Sequence, residues 1–186
     1  MSLYEPAVEY VLEREKGLNE NKDGRDPGGI TNMGVSLRTL KEVPVERLRT
    51  YGIPIYVDAD TIRDLTVAQV KAFYRGEFWD HAPFYAINNQ DVANYLFDAC
   101  VNMDIAPGIK CLQRAIWALE RDRSVILDDG ILGLKTLEFV NGQNQFALLS
   151  AMRSERAGSY RVDAILKPQE NIDLDGWLNR SYNKST

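Results

Sequence analysis

The sequence predicts a mainly α-helical globule built as two lobes, with one irregular loop rich in Gly and Asp. Three observations carry that expectation. Apolar residues recur at helical spacing over most of the 186 residues. The only strand-like run is YGIPIYVDA, residues 51–59. The eleven residues 19–29 hold two Asn, two Asp, one Pro and three Gly, which is dense turn chemistry.

The elements follow in order. Val8, Val11 and Leu12 share one face of a helix predicted over 6–16, with Pro6 in its first turn and Gly17 as its breaker. Ser36 caps a short helix through Leu40, and Pro44 and Pro54 then punctuate an irregular stretch. Thr66 with Gln69 reads as a capping box opening a helix over 67–79. Asn89 or Asp91 caps a helix over 92–103, and Pro107 sits in the first turn of the next, which runs to Leu119. A short helix is expected over 134–140 and a long one over 143–166, loosened at Gly158 and stopped by Pro168. A weak boundary near residues 80–90 separates the lobes.

Composition excludes several classes of function. A net charge of −5 and a pI near 5.0 leave no basic footprint for nucleic acid. No run of 18 apolar residues occurs, so stable membrane insertion is not expected. The start, MSLYEPAVEYVLEREK, lacks the features of a secretory signal, which implies synthesis in the cytoplasm and release through a holin or another export route. Cys100 and Cys111 fall in apolar helical patterns and are expected as buried free thiols. With His81 the only histidine, paired-imidazole zinc sites are ruled out; no metal or other cofactor is expected, and the chain is expected to be a monomer.

VLEREKG, DPGGITNMGVS, FYRGEFWD, NYLFDACVNM with CLQRAI and DDGILGLKT, and GWLNR together resemble successive blocks of the glycoside hydrolase family 108 N-acetylmuramidases. That family also includes proteins named phage endolysins and secretion activator proteins. The block DPGG-x-TN-x-G is the most specific. The resemblance implies a lysozyme-like fold, an N-terminal catalytic region over 4–88, and a C-terminal helical, predicted peptidoglycan-binding region over 89–182, packed as one globule. The chain departs from the family at Lys16 and Leu18, where Gly and an aromatic ring are usual, and at Asp104, where Gly is usual.

The resemblance implies hydrolysis of the β-1,4 bond between N-acetylmuramic acid and N-acetylglucosamine, with peptidoglycan glycan strands as partner. Such cleavage needs a carboxylic acid to protonate the leaving oxygen and a second group to place water or stabilise the oxocarbenium-like transition state. Glu15 matches the family glutamate and is the expected acid; a carboxyl desolvated in a cleft is kept in its protonated form. Asp26 and Thr31 follow in the order seen in phage-type lysozymes and are the expected holders of the water, with Asp23 the alternative partner. An inverting mechanism then has the carboxyls about 6.5 to 9.5 Å apart. Gly28 and Gly29 permit close approach of backbone and sugar, Asn32 belongs to the same block, and Tyr51, Tyr74, Phe78 and Trp79 are candidate stacking platforms.

Three competing readings remain open from sequence. A lytic transglycosylase uses the muramyl 6-hydroxyl in place of water on the same bond. A thiol peptidase pairs Cys100 or Cys111 with His81. A non-catalytic wall-binding or secretion-assisting module uses the second half alone. The net charge of −5 gives no general attraction to a carboxylate-bearing wall, so modest affinity and low salt sensitivity are expected; a steep loss of activity with salt would instead point to a basic patch such as Arg153, Arg156 and Arg161 on one face of the long helix.

Overall fold

A computed structural model describes residues 1–15, 17–20, 29–167 and 173–182. Helix dominates, with one two-stranded sheet among the described residues. The chain divides into two units, one of residues 1–10 with 82–186 and the other of residues 11–81. The first division falls within α1 (Tyr4–Leu12).

The unit of residues 11–81 contains the end of α1, β1 (Thr31–Asn32), β2 (Val35–Ser36), α2 (Leu37–Glu42), α3 (Val45–Thr50), α4 (Ala59–Arg63) and α5 (Val67–Glu77). Helix α1 ends earlier than residue 16: Arg14 and Glu15 donate to the carbonyls of Val11 and Leu12 in a tightened last turn, and Gly17 follows at φ +71°. Ser36 caps α2 by accepting from the Thr39 amide, and the Thr66–Gln69 capping box opens α5. Helix α5 stops at Glu77, and Trp79 starts a single 3₁₀ turn.

The strand expected over 51–59 does not form. Tyr51 closes α3 by donating its amide to Arg47, and Asp58 caps α4 in a reciprocal box with Thr61. Only Tyr51 and Ile53 of that stretch are buried, so the strand-like run supplies two apolar anchors in a connection between short helices. The unit's core gathers Val35, Leu40, Leu48, Ile62, Val70 and Phe73.

The other unit is helical: the start of α1 with α6 (Gln90–Met103), α7 (Ile105–Glu120), α8 (Leu134–Gly142), α9 (Gln145–Leu166) and α10 (Leu174–Ser181). Asn89, not Asp91, caps α6, and Asn144 caps α9 with bonds from Phe146 and Ala147. Pro107 is the third residue of α7, where no intrahelical donor is lost. Gly158 stays inside an unbroken α9. Asp104 joins α6 to α7 at φ +72°, ψ 160°, a conformation suited to Gly. A Cβ on Gly108 would stand 2.8 Å from the Cys100 backbone nitrogen, so α6 and α7 touch backbone to backbone.

Arg153, Arg156 and Arg161 do not make a common surface patch on α9. Arg156 is fully buried: it gives a 2.6 Å ion pair to Asp98 and donates from Nε to the Tyr160 hydroxyl. Arg180 of α10 donates 2.7 Å to the other Asp98 oxygen. Burial works against the Asp98 carboxylate, but Arg156 and Arg180 outweigh it and hold the carboxyl below the usual carboxylate range.

Candidate functional site

Glu15 stands in the tightened turn after α1, and the next segment returns across it. Asn19 and Thr31 exchange both backbone bonds, 2.7 and 3.0 Å, and the Met33 amide donates to Gly17 at 3.3 Å. These bonds hold together the two ends of the Gly- and Asp-rich loop. From there β1 and β2 pair in antiparallel register, Thr31 with Ser36 and Asn32 with Val35. The two-residue turn between them, Met33 and Gly34, has φ +48° and +79°, the positive pair that a tight hairpin requires.

That turn meets the Glu15 carboxyl. A Cβ built on Gly34 would lie 2.8 Å from the Glu15 carboxyl carbon and 2.2 Å from the Tyr74 hydroxyl. Glu15 and Tyr74 thus converge on the bare Cα of Gly34, and any side chain there would displace one or both. The Tyr74 hydroxyl donates to the Met33 carbonyl at 2.9 Å, which fixes the hairpin tip to α5. Arg63 anchors the stem, donating from Nε and Nη2 to the two Glu20 oxygens at 3.0 and 2.9 Å while pairing with Asp60.

Of the other expected site residues, Asp23, Asp26 and Gly28 lie outside the described residues, as does Lys16. Thr31 donates its hydroxyl to Gly29 at 3.3 Å. Asn32 is buried and spends its amide protons on the carbonyls of Ile62 and Arg63, closing the C-terminus of α4. Tyr51, Tyr74 and Trp79 are 8, 1 and 6% exposed, which leaves no open ring face for sugar stacking. Their apolar rings fill the unit's interior instead. Tyr51 also donates to Glu77 at 2.7 Å, and Glu77 pairs with Arg47 at 3.0 Å. Burial, reinforced by Glu77, pushes the Tyr51 hydroxyl up to about 12. Gly76 makes this possible, since a Cβ there would stand 2.3 Å from the Tyr51 oxygen.

Sequence reasoning missed Gly34 as the residue against which the carboxyl packs. Its signal was present in the last glycine of TNMG, the second position of a hairpin turn. It also missed Tyr74 as a neighbour of Glu15, having placed that ring as a sugar platform.

The thiols offer no second chemistry. Burial raises both Cys100 and Cys111 above the usual thiol range, and a buried neutral thiol is a poor nucleophile. Among the described residues no cluster of three His, Cys, Asp or Glu is arranged to hold a metal ion, and no helix is long and apolar enough to cross a membrane.

No curated protein matches the chain. Among solved structures, the fold is similar to one titled "Structure of Brucella abortus SagA", with a TM-score of 0.63 at 19% identity over 98% of this chain and 95% of that one. At that identity the likeness speaks for the fold. The sequence profile of glycosyl hydrolase 108 matches residues 8–103, more than half of the chain. By that match the chain belongs to the glycosyl hydrolase 108 family.

Proposed function

We propose that this glycoside hydrolase is a lysozyme-type N-acetylmuramidase that hydrolyses the β-1,4 bond between N-acetylmuramic acid and N-acetylglucosamine, with Glu15 as general acid. The observation that supports this most is the setting of Glu15. Its carboxyl is held at a helix end against a glycine Cα and beside a buried tyrosine hydroxyl. That hydroxyl donates to the Met33 carbonyl at 2.9 Å, which holds the ring in place beside the carboxyl.

In the proposed reaction Glu15 gives its proton to the glycosidic oxygen as the bond from C1 breaks, and the leaving sugar departs with a free hydroxyl. Water, held by Asp26 and Thr31, adds to C1 and loses its proton to the Asp26 carboxylate, which inverts the anomeric centre. Gly28 and Gly29 give the strand room beside the loop. The region over 4–88 carries the chemistry and the helical region over 89–182 holds the wall. The site of action is the bacterial cell wall.

Glu15→Gln keeps the shape and removes the acid. Turbidity clearing of purified walls should fall by about 10² to 10⁴ with circular dichroism unchanged. Retention of full clearing would overturn the assignment. Mass spectrometry of the products should show reducing N-acetylmuramic acid ends. Anhydromuramyl ends would replace hydrolysis by transglycosylation, and wall binding with no released ends would leave a binding module alone.

A further inference from the structure

In the helical unit, Tyr10, Asp91, Tyr95, Phe146, Leu149 and Arg153 line a cavity of about 260 Å³. Two opposite charges face it without meeting. The Arg153 Nε is buried and has no hydrogen-bond partner. Asp91 stands exposed at the mouth of the cavity and makes no ion pair with Arg153 among the described residues. The start of α6 favours an acidic residue at Asp91, because the helix dipole is positive there. Nothing comparable accounts for a guanidinium nitrogen removed from water and left unpaired, which costs free energy unless a ligand completes it.

We infer that this cavity binds an amino-acid zwitterion with a hydrocarbon side arm, its carboxylate on Arg153 and its ammonium on Asp91. A simple anion would be repelled by Asp91 and a simple cation by Arg153, whereas a molecule carrying both charges satisfies both groups. The guanidinium fork matches a carboxylate, and Tyr10, Leu149 and Phe146 provide an apolar wall for the hydrocarbon. Phe146 is 74% exposed, an uncommon cost for a large ring unless something covers it. It also borders a second, amide-rich cavity of about 480 Å³, which gives a larger molecule room to continue. The ligand is then either a free amino acid or the zwitterionic end of a diaminodicarboxylic side chain within a peptide. The inference does not rest on glycan cleavage.

Isothermal titration of the full chain tests it with L-norleucine, its N-acetyl and carboxamide derivatives, and diaminopimelate blocked at one end as the N-acetyl amide. Saturable binding at roughly millimolar dissociation constant or tighter is expected for the probes that keep both charges. Loss of either charge should weaken binding at least about tenfold, as should Arg153→Gln and Asp91→Asn. Tighter binding of half-blocked diaminopimelate assigns the site to a peptide side chain, and tighter binding of norleucine to a free amino acid; both support the site. No binding of either zwitterion to folded protein, or equal binding of blocked and unblocked probes, overturns it. Arg153→Lys, which keeps the charge, should retain part of the affinity if Arg153→Gln fails to fold. Repeating the titration with Glu15→Gln separates the outcome from that of the glycosidase reading.

Discussion

Gly34 is under two independent constraints. Its φ of +79° disfavours any L side chain, and its Cα is the contact surface for Glu15 and Tyr74. Gly34→Ala should therefore lower wall clearing by about tenfold or more while costing only about 1–3 kcal/mol of stability, read by turbidity and thermal unfolding. Loss of fold without a separate loss of activity per folded molecule would refute that placement role. A glycine in a tight turn is legible from sequence; what it packs against is not, since Glu15 and Tyr74 lie 19 residues before it and 40 after it. Arg156 shows the same limit from the opposite side. Helical spacing placed it correctly on α9, but an arginine read alone is assigned to solvent. Only Asp98, 58 residues away, reveals that it is buried.

At the scale of elements, local chemistry was read best where a side chain closes a helix on itself. Ser36, Thr66 and Asn89 are caps in the structure because their partners lie three residues on. Helices α3 and α4, of six and five residues, were not visible, since helices this short depend on tertiary anchors such as Leu48 and Ile62. The link between α6 and α7 gives a direct test. Asp104→Gly should raise stability by about 1 kcal/mol by relieving the φ +72°, ψ 160° conformation, visible as a higher melting temperature. A lower melting temperature would mean that the Asp104 side chain outweighs its backbone strain.

Asp98 ties α6 to α9 and α10, and it links the fold to pH. Its folded-state affinity for protons is depressed, so its stabilisation is complete above the ordinary carboxylate range near about pH 4. That stabilisation is lost as pH falls from there through the lower folded-state value. Asp98→Asn should cost about 3–5 kcal/mol at neutral pH, because two cations lose their partner, and should flatten the acid limb of the melting curve. An unchanged acid limb would show that other carboxylates govern it.

For the whole molecule, charge argues against long-range attraction to an anionic wall. The net charge is −5, and the burial of Arg156 removes one of the three arginines from which a surface patch on α9 would be made. Wall binding should therefore change less than about threefold between 50 and 200 mM salt in a sedimentation assay, since contacts with few exposed cations are weakly screened. A steep decline would reveal a basic surface elsewhere. The helical class was legible from periodicity, and the family from a series of blocks of which DPGGITNMG is the most specific. The floor of the candidate site was not, because β1, β2 and α5 come together only through folding.

The attachment of α10 bears on how the protein can be handled in the laboratory. Arg180 reaches Asp98, and the Ser181 carbonyl accepts the Tyr95 hydroxyl at 2.8 Å, so the last described helix is fastened to interior residues of α6. A shortened version ending before Leu174 would strip a buried acid of one of its two cations and a tyrosine of its acceptor. Purification tags and reporter fusions belong beyond Tyr182, on a linker long enough to leave that fastening undisturbed.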